Sequence, residues 1–297
     1  MTTSAAHAGP IPLRQRLAAK GLDSLTVLVV PAVMFVIVLF IYPFLYGLWL
    51  SFQPKSGSLF ANYALFFSDS YLYETIGTTL RLALPATILN LLLAVPIAFR
   101  VRLMRRQRIL TTILVVPITL GTVLIAEGLL NYLGPQGWVS RTLMSLGLIS
   151  SPVKLLHNYW GVFIAMIITG FPFTFLLTLS HLSGIDGALE NAAATLGAGP
   201  WKRFRYVLLP LLIPGLTITF CLSFVQEFSV FPSAVLLGAP AGPTRVISIA
   251  AYQAAFEQYD HSMASAIAMI MAAVQLVVVV AVLFARGLRS EERRVGK

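Results

Sequence analysis

Three ionisable side chains lie inside otherwise apolar stretches of this sequence, at Arg81, Glu127 and Glu227. A charged group inside a membrane is costly unless it is paired or hydrated, so each is a functional candidate by default. They are candidates either for an arginine–carboxylate pair that joins two helices or for the lining of the outer mouth of a solute pathway. Three uncharged polar residues are further pathway candidates, with helix–helix hydrogen bonds as the competing use: Asn90, Ser223 and Gln226.

Signatures of catalysis and metal binding are absent from the sequence. A phosphate-binding loop of the form GxxxxGK[ST] would need a glycine where Glu291 stands, before the pair Gly296-Lys297. Spacings such as HExxH or CxxC do not occur, and the four histidines stand alone. We therefore predict no catalytic residue, no metal site and no cofactor in this chain, and we expect Cys221 to be a small core residue.

The longest polar interruption between two apolar stretches is residues 184–210, which predicts a short surface helix, a break and the start of a membrane helix. Asp186 is a fair N-cap, and Glu190 lies in the first turns, where the helix dipole favours an anion. Gly197 is a natural residue to end the helix, and Pro200 suits the first position of the next one. The surface helix would have roughly ten residues and a length of about 15 Å.

The middle of this surface helix consists of Ala192, Ala193 and Ala194, which offer little volume and no polar group. Their use is to let another surface come close, so a peripheral partner protein is one expected occupant. A cytoplasmic loop helix that lies on its own membrane is the alternative.

The same stretch carries a longer pattern, Ile185-Asp186, Asn191-Ala192-Ala193, Gly197-Ala198, Pro200, Phe204, Val207 and Leu209-Pro210. This pattern resembles the EAA loop of the inner-membrane permease subunits of binding-protein-dependent ABC importers. The resemblance implies that residues 187–196 form a coupling helix seated in a cleft of an ATPase subunit. Asn191 stands where that family has a glutamate, with Glu190 directly before it, so the family's carboxylate role is not carried over to Asn191. The coupling residues that the resemblance implies are Asp186, Glu190, Asn191, Ala192, Ala193, Gly197 and Pro200.

A second group of residues resembles the segment after the fifth helix in the polyamine-type branch of these permeases. The group comprises Glu227-Phe228, Pro232, Leu236-Leu237-Gly238 and Thr244. It implies a small hydrophilic solute with a polyamine favoured, and Glu127 and Glu227 would suit a cation, although Arg81 nearby complicates the charge argument. An amino-acid derivative, a phosphonate, an opine, thiamine or ferric ion stays open.

The composition is that of a membrane protein. Of the 297 residues, 58% are hydrophobic and 11% are charged, against roughly 25% charged in an average soluble domain. The net charge is +10, but the basic residues fall at the ends of apolar runs and not in a patch with aromatics. Nucleic-acid binding is therefore not expected, and the charges are interpreted as signals of membrane topology.

We predict an all-α membrane protein with six transmembrane helices and a cytoplasmic coupling helix between the fourth and the fifth. The helices are expected near residues 25–50, 76–99, 110–133, 159–179, 207–231 and 263–285, with a short surface helix near 138–146. In this topology the N-terminal tail, the segments after the second and fourth helices and the C-terminus lie on one side of the membrane. They hold sixteen of the 21 Lys and Arg residues, and the segments on the other side hold four. This bias places both termini in the cytoplasm of a multi-pass inner-membrane protein.

Three regions follow from this topology: a cytoplasmic tail at residues 1–24, a permease domain at 25–288 with the coupling loop at 181–206, and a second tail at 289–297. The resemblance implies a permease subunit that works by alternating access and pairs with itself or with a sister permease. Its other implied partners are membrane lipid, an extracytoplasmic solute-binding protein and two ATPase subunits, which would hold the ATP and Mg.

A self-contained secondary carrier or channel is the rival hypothesis. In such a protein Arg81, Glu127 and Glu227 would act as an ion relay. It would have no need of an alanine-rich helix followed by glycine and proline between its fourth and fifth spans. An intramembrane enzyme finds no support, because no Ser/His, Asp/Asp or metal constellation is present.

Overall fold

The structure is a computed structural model that describes residues 24–152 and 154–295, with side chains over 29–152 and 154–288. The predicted N-terminal tail thus lies almost wholly outside the described residues. Regular secondary structure in the described ranges is helical throughout. In chain order the helices are α1 (Ser24–Val36), α2 (Tyr42–Ser51), α3 (Ala61–Ser68), α4 (Ser70–Arg102), α5 (Gln107–Leu120), α6 (Thr122–Leu133), α7 (Trp138–Ser145), α8 (Tyr159–Ser183), α9 (Gly187–Thr195), α10 (Pro200–Arg203), α11 (Leu209–Phe228), α12 (Pro232–Leu236), α13 (Ile247–Tyr252) and α14 (His261–Val295).

Three π-helical turns connect or extend these helices. They are Ile37–Ile41 between α1 and α2, Phe204–Leu208 between α10 and α11, and Gln253–Glu257 after α13. In the described part of the chain, five helices or helix runs are long and apolar enough to cross a membrane, and the bent pair α5 and α6 makes a sixth. The predicted all-α, six-span architecture is confirmed, and the short helix predicted near 138–146 is α7.

The third span differs from its prediction as one helix over residues 110–133. It is broken at Gly121, and the helical segments on either side of that residue are bent by 95°. Gly121 has φ 76° and ψ 155°, a backbone region that is open essentially to glycine alone. The apolar run is continuous across the break, so hydrophobicity alone gave no sign of it.

The second and fifth spans are longer than predicted at the end that carries the basic residues. The second span ends at Arg102 and not at residue 99, and it begins at Ser70, where Asp69 accepts a hydrogen bond of 2.9 Å from the backbone of Tyr71. The fifth span begins at Pro200 and ends at Phe228, where residues 207–231 were expected. The basic residues of the coupling loop therefore lie on its first turns. The last helix also continues to Val295, through most of the predicted C-terminal tail.

The core of the bundle is formed by α4, α8 and α11, which pack against one another. Along α4 the residues that face the other two helices are small, and Ala83, Ala86, Ala94 and Ala98 are fully buried. Small residues let membrane helices approach closely enough for their backbones to make van der Waals contact. Around this core, α14 packs on α2, α11 and α13, and α5 and α6 pack on α8.

Arg245 holds the end of the bundle opposite to the basic residues of α4 and α10. Its side chain is buried, and its guanidinium donates to the backbone oxygen of Tyr71 at 2.6 Å and to Oε1 of Gln253 at 2.7 Å. It also lies 3.7 Å from the centroid of the Tyr71 ring, a cation–π arrangement. Burial lowers the pKa of this guanidinium, and the nearby Tyr71, Asp69 and Glu257 oppose that shift. Arg245 therefore fastens the segment between α12 and α13 to the start of α4.

The break at Gly121 generates a stability prediction. Replacing Gly121 with Ala places a side chain at φ 76°, and we expect a loss of about 1–3 kcal/mol in the free energy of unfolding. Thermal unfolding of the purified protein in mild detergent measures this effect. Gly128→Ala in α6 is the matched control, because its added Cβ would meet no atom within 4 Å and alanine favours a helix. Equal melting temperatures for the two variants would contradict the prediction.

Candidate functional site

The surface helix predicted between the fourth and fifth spans is α9, Gly187–Thr195. Asp186 caps its start by accepting a hydrogen bond of 2.9 Å from the backbone of Ala188. Gly197 follows its end with φ 77°. The backbone amides of Gly197 and Ala198 return to the last turn of the helix over 3.0 Å each, the two bonds of a Schellman motif. The local sequence signals thus define both ends of α9, and Pro200 opens α10 as predicted.

Glu190 is bound by two arginines that come from different helices. Its Oε2 accepts a hydrogen bond from Nη2 of Arg102, and its Oε1 lies 3.8 Å from Nη1 of Arg203. The other guanidinium nitrogen of Arg102, Nη1, donates to the backbone oxygen of Leu182 at 3.2 Å. The side chains of Arg102, Glu190 and Arg203 are only 14%, 13% and 24% exposed. These contacts join α9 to the ends of α4 and α8 and to α10.

Two of the remaining predicted coupling residues lie on the free side of α9. Asn191 and Ala192 are exposed, whereas Ala193 is half-buried on the side of Glu190. Leu196, in the position after the helix, is 88% exposed, and Trp201 at the start of α10 is 70% exposed. The exposed side of α9 therefore offers small and apolar side chains to another molecule.

A buried polar layer joins the three core helices near the middle of α4 and α8 and at the last turn of α11. Nδ2 of Asn90 on α4 donates to Oε1 of Glu227 on α11 at 3.1 Å, and these side chains are 0% and 4% exposed. Gly170 on α8 provides the space for them, since a Cβ at that position would collide with the carboxylate and lie 2.7 Å from Nδ2 of Asn90. The hydroxyls of Thr174 and Ser223 form a neighbouring contact of 2.8 Å between α8 and α11.

The predicted pairing of Arg81 with a carboxylate is wrong. Glu227 has Asn90 as its partner, and neither Arg81 nor Glu127 forms an ion pair within the described ranges. Arg81 is exposed, and its backbone oxygen accepts a hydrogen bond from the hydroxyl of Tyr159 at 2.9 Å. Arg81 and Glu227 face different surroundings because one lies on the outside of α4 and the other is inserted between three helices.

Exposure divides the six pathway candidates into two equal groups. Arg81, Glu127 and Gln226 lie on the exposed surface of the single chain. Asn90, Ser223 and Glu227 lie in the core. The first group is available to a solute or to another subunit, whereas the second holds helices together.

Sequence reasoning missed three residues of these clusters: Arg102, Gly170 and Arg203. A glycine within an apolar helix is a signal of close approach that would have pointed to Gly170. Arg102 had no such signal, since it is one of five arginines within residues 100–108. In the described residues, no group of three or more His, Cys, Asp or Glu side chains is placed to hold a metal ion.

Comparison with known proteins finds one family across most of the chain. The family described as "Binding-protein-dependent transport system inner membrane component" matches residues 91–290. A probable sulfate transport system permease protein, cysT, of Prototheca wickerhamii is 30% identical over 206 residues, which are 68% of this chain and 78% of that protein. The spermidine/putrescine transport system permease protein PotB of Haemophilus influenzae is 29% identical over 205 residues, 66% of this chain and 71% of that protein.

A solved structure shares the fold. It is a bacterial alginate ABC transporter in complex with an alginate pentasaccharide-bound periplasmic protein. The TM-score is 0.77 at 21% identity, and the match covers 92% of this chain and 96% of that chain.

The polar layer generates a second stability prediction. Gly170→Ala should lower the melting temperature of the purified protein, because the new Cβ collides with the Glu227 carboxylate and overpacking of a core typically costs about 1–3 kcal/mol. Gly77→Ala on α4 is the control, since its Cβ would meet nothing within 4 Å. Combining Gly170→Ala with Glu227→Ala should cost less than the sum of the two single changes. If the stability losses of the two single variants add exactly in the double variant, the two residues do not share this space.

Proposed function

The chain belongs to the family of binding-protein-dependent transport system inner membrane components, and from that premise we propose that it moves a small polyamine-like solute by alternating access, driven by ATPase subunits that dock on α9. As a member of this family, it is a membrane-spanning permease subunit of an ABC importer and has no ATPase site of its own. The observation that carries the proposal is the capped, exposed helix α9 within the matched region.

The coupling role of α9 is supported by its shape and surface. Its two ends are fixed by Asp186 and Gly197, and its free side presents Asn191, Ala192 and Leu196. We propose that this side lies in a cleft of an ATPase subunit, which holds the ATP and Mg. A partner shifts a conformational equilibrium only by the difference in its binding free energy between the two states. The contact with α9 must therefore differ between the open and closed ATPase dimer.

The broken third span supports a pathway between two permease subunits. Backbone that leaves helical geometry at membrane depth needs water or protein around it, because lipid offers no hydrogen bonds. Gly121 is exposed in the single chain, and Glu127 is exposed on α6 just after the break. We propose that this surface faces a second permease, identical or related, across a hydrated pathway that Arg81 and Gln226 also line. The basic end of α4, the basic residues at the start of the fifth span and both chain termini are proposed to lie in the cytoplasm.

The proposal for the solute is based on the names of the relatives. PotB is a spermidine/putrescine permease protein by name, and the exposed Glu127 suits a polyamine cation. Sulfate is the second candidate, because the cysT relative is named for it and Arg81 is exposed as well. A solute-binding protein outside the membrane is the proposed donor of the solute, in line with the periplasmic protein in the alginate transporter complex.

The rival hypothesis of a stand-alone ion carrier is not favoured. A relay needs Arg81, Glu127 and Glu227 within reach of one another, yet Glu227 is buried with Asn90 while the other two are exposed. Membership of a family of importer subunits also favours the permease function.

The coupling role is tested at the end of α9. Gly197→Val should reduce ATP-driven transport severely, because a β-branched residue at φ 77° is strained by about 1–3 kcal/mol and shifts the end of the helix. No residue of α9 is buried, so a shift of the helix end can relieve this strain, and the melting temperature of the bundle should fall less than in Gly121→Ala. Gly199→Val is the control, since Gly199 has φ −66° and ψ 165° and its Cβ would meet no atom within 4 Å. Transport by Gly197→Val at the control level would refute the coupling assignment.

The solute is tested by uptake into proteoliposomes that contain the chain, its co-purifying ATPase and the associated binding protein. ATP-dependent accumulation of radiolabelled spermidine is expected, and Glu127→Gln should lower it because a carboxylate of the pathway is lost. The same change at Glu74, which is exposed at the start of α4, serves as the control. Accumulation of radiolabelled sulfate without spermidine would make sulfate the solute.

A further inference from the structure

We propose that Glu190 is a positioning residue that makes α9 move as one body with the ends of α4 and α8 and with α10 at the start of the fifth span. It does so through Arg102 and Arg203 rather than by touching the ATPase itself. This proposal rests on the proposed coupling function of α9 and assigns a role within it.

Hydrophobic packing does not hold α9 in place. No residue of Gly187–Thr195 is buried, and the connections to the neighbouring helices contain glycines, with Gly184 on one side and Gly197 and Gly199 on the other. The hydrogen bonds of Asp186 and Gly197 fix where the helix begins and ends, but they do not join it to α4, α8 or α11. An exposed helix with glycine-containing connections needs some other attachment if it is to transmit a displacement.

The attachment that the structure offers is the pair of arginines around Glu190. Arg102 lies in the last turn of α4 and contacts both Leu182 at the end of α8 and Glu190 on α9. Arg203 lies at the start of the fifth span and approaches the other carboxylate oxygen at 3.8 Å. One carboxylate thus connects α9 to α4 and α10 directly and, through Arg102, to the end of α8. Its low exposure of 13% shields these ionic contacts from solvent.

The same geometry argues against Glu190 as the direct contact with the ATPase. Both of its carboxylate oxygens already face arginines of this chain. Asn191, the next residue, is exposed on the free side of α9 and is available to a partner. Glu190 therefore faces the other helices of this chain, whereas its neighbour Asn191 faces outward.

The test measures how firmly α9 is held. Spin labels are attached to cysteines at Thr195 on α9 and Met104 just after α4, both exposed, in a Cys221→Ala background. The distance distribution between them is measured by electron–electron double resonance in nanodiscs, with the ATPase bound and either without nucleotide or trapped with ATP and vanadate. For the unmodified site we expect one narrow distribution with the same mean in both states.

The variants separate a positioning role from a contact role. Glu190→Gln should widen the distribution about twofold or more, while the ATPase still co-purifies in near-equal amount. Arg102→Gln should also widen it, and the double variant should widen it by less than the sum of the two single effects, because the Arg102–Glu190 contact is lost in all three. Arg105→Gln is the matched control, since Arg105 carries the same charge three residues after Arg102 in the turn that follows α4, is exposed and forms no ion pair within the described ranges.

Each contrary outcome has a distinct meaning. An unchanged width in Glu190→Gln, or a width that Arg105→Gln changes equally, would refute the positioning role. Loss of the ATPase from Glu190→Gln with an unchanged width would make Glu190 a partner contact and also refute it. If the unmodified chain binds no ATPase, the coupling function itself fails, and the width measured on the chain alone still decides whether Glu190 holds α9.

Discussion

Lipid offers no hydrogen bonds, so a carboxylate placed between membrane helices must find its partner within the protein. Glu227 meets this requirement with Asn90, and the pair fits because Gly170 has no side chain. That one contact fixes the register of α4, α8 and α11. Twelve residues further along α4 and α8, at about 18 Å, lie Arg102 and Leu182, the residues that hold the base of α9. The polar layer and the contacts of α9 thus lie at opposite ends of the same segments of α4 and α8.

This arrangement separates residues that maintain the bundle from residues that face outward. Polar groups on the inner faces of the three core helices are bonded to one another, as in the Thr174–Ser223 contact. Charged groups on the outer faces, Arg81 and Glu127, are left exposed by this chain. The bonded groups hold the core helices together, and the exposed ones are the pathway candidates proposed above.

Local signals were sufficient to predict α9, since a capping aspartate and a glycine with positive φ act within a few residues of the helix ends. The order and number of the spans also followed from the apolar runs. The partner of Glu227 did not, because Asn90 lies 137 residues away and no pattern in the sequence links the two. The burial of Arg245 was missed for a related reason: a basic residue in a predicted loop is indistinguishable by type from one that stacks on Tyr71. The break at Gly121 had its signal, a glycine four residues after Pro117, but the apolar run hid it.

The separation of Asn90 and Glu227 in the chain also bears on the order of assembly during synthesis. At about 5–20 residues per second, a ribosome needs roughly 7–27 s to make the 137 residues between them. During that interval the second span is already made while the carboxylate that will satisfy its amide does not yet exist. The core of the permease therefore closes late, and a nascent chain that stalls before its fifth span lacks the acceptor for Nδ2 of Asn90.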